Sequence, residues 1–558
     1  MTQKTIQSSD NIWFLDIETT IDHKKIHCVV VRKFGTTDAP YYFLDELAFR
    51  YFLSKQEPIS FIGHNIIGFD APVIKSVWNI DINVYKDTLV MSRLADPSRE
   101  GGHSLEAWGK RLGFPKGDNT EEGFFDRYSP ELLQYCINDV ELTAVVFSKL
   151  FNELVDFSHQ SKEIEHEVAK ITHKQEQDGF QLDTDYAQDL VRDWTTELEI
   201  LEDELIETFE PTIKVLKTKV KKIPFNPGSR DQIAERLIAR GWKPEKFTPT
   251  NKPVVDDEVL QNVDIPEAKQ IYRYLLLKKR ITQVQSWLDA ADDEGVVHGK
   301  VITNGAVTGR MTHHSPNMAQ VPATYSLYGK ECRKCWIPRE GFVLVGIDAA
   351  GLELRMLAHY MDDPAYTETV INGKKDDGSD IHSVNMHAAG LADRDTAKTF
   401  IYAFLYGAGA AKIGSIIGGT AEDGRRLIEK FLRATPALAR LKEKVAKLAK
   451  KGYLPGLDGR KLWVRSEHSA LNTLLQGAGA IVMKVALIEL VKYLTTHQIS
   501  YRIVVNVHDE WQIEVRKRDA RFVGELGKLA IKTAGEILKL RCPLDGDYAV
   551  GMNWAETH

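Results

Sequence analysis

The chain has 558 residues, 43% of them hydrophobic and 27% charged, with a formal net charge of −7. That length exceeds what one hydrophobic core supports, so two or more domains are expected, and no uninterrupted apolar run approaches the roughly 20 residues of a membrane span. The negative balance excludes a protein coated in basic surface, so a nucleic-acid partner would have to meet Lys and Arg segregated to one side.

The first residues, MTQKTIQSSDN, carry neither an apolar core nor a small-residue cleavage site; neither export nor organelle import is indicated, and a cytoplasmic protein is expected. Residues 12 to 150 then alternate short β-rich runs (IWFLDIE, HCVVVRKF, YYFL, SFIGHN) with helical stretches, the pattern of an α/β domain. In WFLDIETT, Asp16 and Glu18 lie two apart on a strand and leave the same face. HNIIGFD supplies Asp70, and YCINDVELTAVV supplies Asp139 on a helix with Tyr135 one turn earlier on the same side. A lone exposed acid ordinarily serves solubility. Four acids gathered together repel each other unless cations sit between them, and two divalent ions about 3.5 to 4 Å apart are the usual solution for hydrolysing a phosphodiester.

The order DxE, HNxxGFD, YxxxD resembles the DEDD exonuclease superfamily with the tyrosine-type third motif. That resemblance implies an RNase H-like domain with 3'→5' exonuclease activity. It also implies that Asp16, Glu18, Asp70 and Asp139 hold two metal ions and that Tyr135 orients the attacking water.

From about 155 to 290 the chain turns charged and helical (FSHQSKEIEHEVAKITHKQEQDG, LVRDWTTELEILEDELIETFE), and two long helices are expected to project as an arm. KVLKTKVKK, residues 214 to 222, holds five lysines; a solvated loop and a phosphate contact fit it equally. Cys332 and Cys335 form a CxxC with no second ligand pair nearby, and five cysteines in all fit a reducing compartment rather than a disulfide framework or a zinc site.

Strands resume near 296, and VLVGIDAAG delivers Asp348 at a strand end before the helix AGLELRMLAHYM. Helices dominate from 362 to 450. In RDTAKTFIYAFLYGAG, Arg394, Lys398, Tyr402 and Tyr406 recur every four residues, each step drifting only about 40° around the helix. One face thus carries two cations and then two aromatics, as a nucleoside triphosphate lying along it requires; a plain amphipathic helix packing its tyrosines is the alternative. The hairpin YRIVVNVHDEWQIEV presents Asp509 at its tip, and C-terminal helices are expected after it.

DAAGLELR, the R-x3-K-x7-YG helix and VHDE, in this order, resemble motifs A, B and C of family A DNA polymerases, in particular the short replicative enzymes of T-odd phages. TNGAVTGRMTHHSPNMAQVP (303 to 322) and LDGRKLWVRSEHSALNTLLQGAGA (457 to 480) are similar to that branch too, so the likeness runs from about 225 to the C-terminus. It implies an α/β and mainly-α multidomain protein, with an exonuclease domain over 1–155 and a right-hand polymerase domain over 156–558. Within the latter, the thumb would span about 156–290, the palm about 291–360 and 474–558, and the fingers about 361–473.

The resemblance implies site residues one by one. Asp348, Asp509 and the Ala349 carbonyl would bind two Mg2+ ions, with Mn2+ as an alternative. His382, Arg394 and Lys398 would contact the triphosphate, with Lys398 as general acid toward pyrophosphate. Tyr402 would stack by the incoming sugar and base, Tyr406 would close over the templating site, and Glu353, paired with Tyr402, would be the ribose gate. Arg310, Gln476 and His508 would touch the primer-terminal pair, whose minor-groove acceptors stand at the same place in every correct pair.

Primer-template DNA and dNTPs are the expected partners, with a phage helicase-primase and a single-strand DNA-binding protein beside them in an infected bacterial cytoplasm, and no membrane. No 5'-nuclease domain is expected ahead of the first motif. Only about 15 residues separate the helix ending near Phe209 from FNPGSRD, which argues against a host thioredoxin-type clamp there and assigns processivity to Lys214 to Lys222 or another phage protein. Two rivals remain at this level: a single-subunit RNA polymerase-like enzyme, not expected to keep Glu353 or the proofreading quartet, and a non-catalytic DNA-binding scaffold, against which Asp348 and Asp509 speak.

Overall fold

A computed structural model describes residues 11–114, 122–215 and 220–558. The chain clusters into two units: one takes in residues up to Asp178, Val301–His313 and Ile347–Tyr548, the other Gly179–Lys300, His314–Gly346 and Ala549–His558.

The first unit begins with a five-stranded sheet in the spatial order Tyr41–Phe43, Ile26–Lys33, Ile12–Thr19, Ser60–Gly63, Val84–Asp87. Ile12–Thr19 pairs antiparallel with Ile26–Lys33 and parallel with Ser60–Gly63. Being central, it is covered on both faces, which is why its sequence is a nearly continuous apolar run. Trp13, Leu15 and Ile17 pack into one core with Ile66, Ile74 and Trp78. Ile12 and Phe14 pack into another with Cys136, Val140 and Phe147 of the helix Pro130–Glu153. Strand alternation puts Asp16 and Glu18 on that second face, where the apolar contacts run out. The helix is set by Ser129, whose side chain accepts from the Leu132 amide, and by Pro130 in its first turn.

A four-stranded sheet runs Tyr501–Val507, Glu510–Arg516, Phe342–Ala349, Gly546–Gly551. The helices Ala470–Thr496 and Ala520–Ile537 pack against each other. Ala470–Thr496 is long and apolar enough to cross a membrane by length and composition, but most of its apolar stretch is buried inside the protein, as befits a core helix that is hydrophobic all round. Beyond the sequence-based expectation, the C-terminal part holds the strand Gly546–Gly551 as well as a helix. A Cβ at Gly546 would lie 3.0 Å from the Asp348 carbonyl and 2.7 Å from Ile531 Cδ1, so only glycine lets that strand lie there.

The helix His159–Asp178, expected to project in an arm with the next one, instead groups with the first unit. It buries Glu165, whose Oε1 accepts from Lys484 Nζ at 2.6 Å and from Arg460 Nη1; Arg460 Nη2 also donates to Asp458 Oδ2 at 2.7 Å. None of these four side chains is more than 2% exposed. Burial is what excludes this helix from an arm: the Glu165 charge is satisfied only inside the unit.

In the second unit the helices Thr184–Thr208 and Pro266–Ala290 pack together, and a small sheet orders Trp336–Ile337, Phe180–Leu182 and Val296–Val297. Phe180, Trp287 and Trp554 ring Trp336 or each other at 5.2 to 6.0 Å. Of the lysine-rich segment, Thr212–Val215 pairs antiparallel with Val220–Ile223; residues 216–219 lie outside the described ones. Cys332 and Cys335 are buried thiols, and burial pushes Cys332 up to about 12.

Candidate active site

The strand Phe342–Ala349, an inner strand of its sheet, carries Asp348 next to its C-terminal end, and the Ala349 amide donates to the Asp509 carbonyl at 3.1 Å. Asp509 sits in the two-residue turn between Tyr501–Val507 and Glu510–Arg516. The other turn residue, His508, has φ of 57°, a left-handed backbone that non-glycine residues adopt at a cost and mostly at functional sites. Two acids more than 150 residues apart in sequence are therefore backbone neighbours.

Just past Asp348, Gly351 (φ 58°) turns the chain into the helix Leu352–Met361, placing Glu353 in its first turn, where the helix dipole favours an acid. Glu353 Oε1 accepts from the Tyr406 hydroxyl at 2.7 Å and lies 3.6 Å from Arg310 Nη2. Arg310, Glu353, His508 and Asp509 line one pocket, with Met483 and Lys484. Burial, then the Glu353 charge, pushes the Asp509 carboxyl up to about 6, against the pull of Arg310. Crowded, partly desolvated carboxylate oxygens of this kind suit a hard divalent cation such as Mg2+.

On the facing helices, Arg394 opens Arg394–Leu405 and His382 stands in the first turn of Ile381–Ala389. His382 and Tyr402 rings are 5.9 Å apart, and Tyr402 stacks on Tyr406 at 6.3 Å and 25°. Lys398 is exposed. Burial, then the Arg394 and Lys398 charges, lowers His382 against the pull of Asp380, which favours the neutral imidazole. Gln476 lies between Leu475 and Gly479, which both line the pocket. A Cβ at Gly477 would come within 2.5 Å of Leu462 Cδ1 and 3.2 Å of the Thr308 carbonyl. This close approach explains the glycine after Gln476.

The second acid cluster lies on the five-stranded sheet. One ligand atom each from Asp16, Glu18 and Cys136 falls within 4.8 Å of the others, and Cys136 Sγ donates to Asp16 Oδ2 at 3.4 Å. Asp70, at the start of Asp70–Trp78, accepts from the Ile17 amide at 3.1 Å. Burial, then Asp70, Asp139 and Glu18, raises Asp16 well above the carboxylate range. Asp70 is pushed up to about 8 by burial and by Asp87 and Asp139. Such mutual repulsion is what bound cations would relieve. The Tyr135 ring is buried against Phe124 and Phe125, at 5.7 and 6.2 Å.

DNA polymerase family A matches residues 195–556 of this sequence. The DNA-directed DNA polymerase of Escherichia phage T7 is 33% identical over 96% of this chain and 98% of its own length, and that of Enterobacteria phage T3 is 33% identical over 89% and 92%. The chain belongs to DNA polymerase family A. A solved POL domain of Pol1 from M. smegmatis, in complex with DNA primer-template and dNTP, shares the fold at a TM-score of 0.80 and 18% identity, covering 98% of this chain and 95% of that one. As a family A enzyme the chain carries out template-dependent DNA synthesis, and enzymes of this family depend on a divalent metal, generally Mg2+.

Of the residues read from sequence, Arg310, Glu353, His508 and Asp509 line one pocket, with Ala349 bonded to Asp509 and Tyr406 to Glu353. Glu353 takes its hydroxyl partner from Tyr406, one helical turn beyond the Tyr402 with which it was paired. Sequence reasoning missed Cys136, although it neighbours Tyr135 and lies three residues before Asp139. It also missed Asp87, whose carboxylate accepts from the Asn65 and Ile67 amides at 2.9 and 3.1 Å and so fixes the loop leading to Asp70. The D-T-L start of its helix, with an N-cap aspartate, was the available signal.

Proposed function

We propose that this enzyme extends a primer 3'-hydroxyl with dNTPs on a DNA template, and edits the product with a 3'→5' exonuclease built on residues 1–155. The polymerase would occupy 156–558, with palm and fingers as delimited above and a thumb that begins after the helix His159–Asp178. The Ala349 to Asp509 backbone bond carries the polymerase half of this reading, because it makes neighbours of the two acids that family A chemistry needs. Asp348, Asp509 and the Ala349 carbonyl would hold two Mg2+ ions, and Asp16, Glu18, Asp70 and Asp139 another two. Bound cations there supply a lowered hydroxyl pKa and neutralise charge on the phosphates.

The chain's own residues do the rest. Arg394 and Lys398 bind triphosphate oxygens as charge-assisted donors, and Lys398 holds the proton that pyrophosphate takes on leaving. His382, kept neutral, donates one ring N–H. Tyr402 and Tyr406 offer stacked aromatic faces to the incoming nucleotide and the templating site, and Glu353 excludes a 2'-hydroxyl. Arg310, Gln476 and His508 place donors on the primer-terminal minor groove. Tyr135 orients the water that attacks the terminal phosphodiester in the editing site.

The partners are primer-template DNA and dNTPs, in the cytoplasm of an infected bacterium, with a phage helicase-primase and single-strand DNA-binding protein at the same fork. Primer extension with each dNTP on templates of defined sequence should add only the complement, and a chelator should stop it. Addition without regard to template would overturn this reading.

A further inference from the structure

Asp380 lies beside the triphosphate face, yet a carboxylate is by charge alone the wrong group to keep near phosphates. Its side chain is 11% exposed and meets that of Arg394, 27% exposed, in the closest ion pair of that face: Asp380 Oδ1 accepts from Arg394 Nη2 at 2.8 Å and from Nε at 3.1 Å. The same carboxylate caps the next helix, accepting from the His382 amide at 3.1 Å, while its other oxygen takes the Ser383 hydroxyl at 2.5 Å. Burial works against its charge, but Arg394, Ser383 and the His382 amide outweigh it and hold the acid at about 2. It is ionised at any working pH.

Arginine carries five N–H donors on a rigid plane. Asp380 takes one edge, the Nε hydrogen and an Nη2 hydrogen. The Nη1 group, 4.0 Å from the solvated Asp395 carboxylate, and the second Nη2 hydrogen remain, and they form the fork geometry that matches two phosphate oxygens. Without the carboxylate, a long flexible side chain at a helix start would sample many rotamers before meeting its ligand. The helices Ile381–Ala389 and Arg394–Leu405 pack together, so one acid sets both Arg394 and the turn that carries His382.

We infer that Asp380 is a positioning residue for nucleotide addition: it grips Arg394 by one edge and presents the other to the triphosphate, while anchoring the start of the His382 helix. This rests on the reading of Arg394 and His382 as triphosphate contacts.

The test is steady-state single-nucleotide addition by the full chain, and pyrophosphorolysis, the reverse reaction, with pyrophosphate as probe. Asp380→Asn keeps the shape and the helix-capping oxygen and removes the charge; Asp380→Ser keeps the cap with a smaller side chain should Asn fold poorly. Either should raise the KM for dNTP and for pyrophosphate in parallel, by about tenfold, with primer-template affinity within about twofold of the parent. Asp380→Glu should recover part of the loss. In an Arg394→Lys background, Asp380→Asn should add little, because its partner's fork is already gone.

Unchanged KM values, lowered KM values, or equal effects in both backgrounds would overturn the role of Asp380. If instead Arg394→Ala alone leaves the dNTP KM unchanged, the triphosphate reading itself fails, an outcome recognisable without any change at Asp380.

Discussion

The Tyr406 hydroxyl donates to Glu353 Oε1 at 2.7 Å, joining the end of the Arg394–Leu405 helix to the first turn after Asp348. Burial and the Glu353 charge together hold the phenol well above its ordinary range, so it stays a donor. If Glu353 guards the sugar site, Glu353→Ala should narrow the ratio of kcat/KM for dNTP over rNTP by tenfold or more, roughly the loss of one buried polar contact. Glu353→Gln, which keeps an acceptor for Tyr406, should fall between. An unaltered ratio in Glu353→Ala would leave selection to Tyr402.

The two acid clusters stand on different sheets, so their losses should separate. Asp16→Ala with Glu18→Ala should abolish degradation of a single-stranded 3' end and leave primer extension within about twofold. A matching fall in extension would show that the sheet, and not the site, had been damaged.

Burial and neighbouring acids push the Asp70 carboxyl from the ordinary carboxylate range up to about 8. Because its folded pKa is raised, its contribution to stability is complete below the unfolded value and is lost as pH climbs through about 8. A cation must displace that proton to bind. The rise in thermal midpoint on adding Mg2+ should therefore be greater at pH about 9 than at pH about 6, and the pH-dependent part should shrink in the Asp16→Ala, Glu18→Ala protein, leaving what Asp509 contributes. A Mg2+ effect that is the same at both pH values would contradict this.

Removing Arg460 strands Asp458 and leaves Glu165 with Lys484 alone, both acids being fully buried. Arg460→Ala should cost about 3 to 5 kcal/mol, the usual penalty for a buried charge without its partner. Lys110 and Glu106, 76% and 61% exposed, form a pair worth at most about 1 kcal/mol. Denaturant midpoints of Arg460→Ala and Lys110→Ala should differ accordingly, and equal midpoints would mean that water reaches the Arg460 cluster.

What could be read from the chain follows from periodicity. Asp16 and Glu18 share a face because strands alternate, and Arg394, Tyr402 and Tyr406 share one because helices return every four residues; both needed only local sequence. Asp509 at a hairpin tip was equally local. The strand Gly546–Gly551 was not legible, since GDYAVG is short and its existence depends on Phe342–Ala349, some 200 residues earlier. Cys136 and Asp380 escaped for another reason: a buried thiol normally packs as a small hydrophobe, and an N-cap aspartate needs no further role to be explained. The four-residue charge cluster around Glu165 joins three distant segments, and only folding puts them together.

The polymerase centre requires Asp509 beside Asp348. Asp509→Ala, assayed for primer extension and for 3'-end degradation in the same Mg2+ buffer, should lose extension by several orders of magnitude while degrading single strands at the parental rate. An Asp509→Ala protein that extends primers like its parent would contradict the assignment of that carboxylate to the polymerase centre.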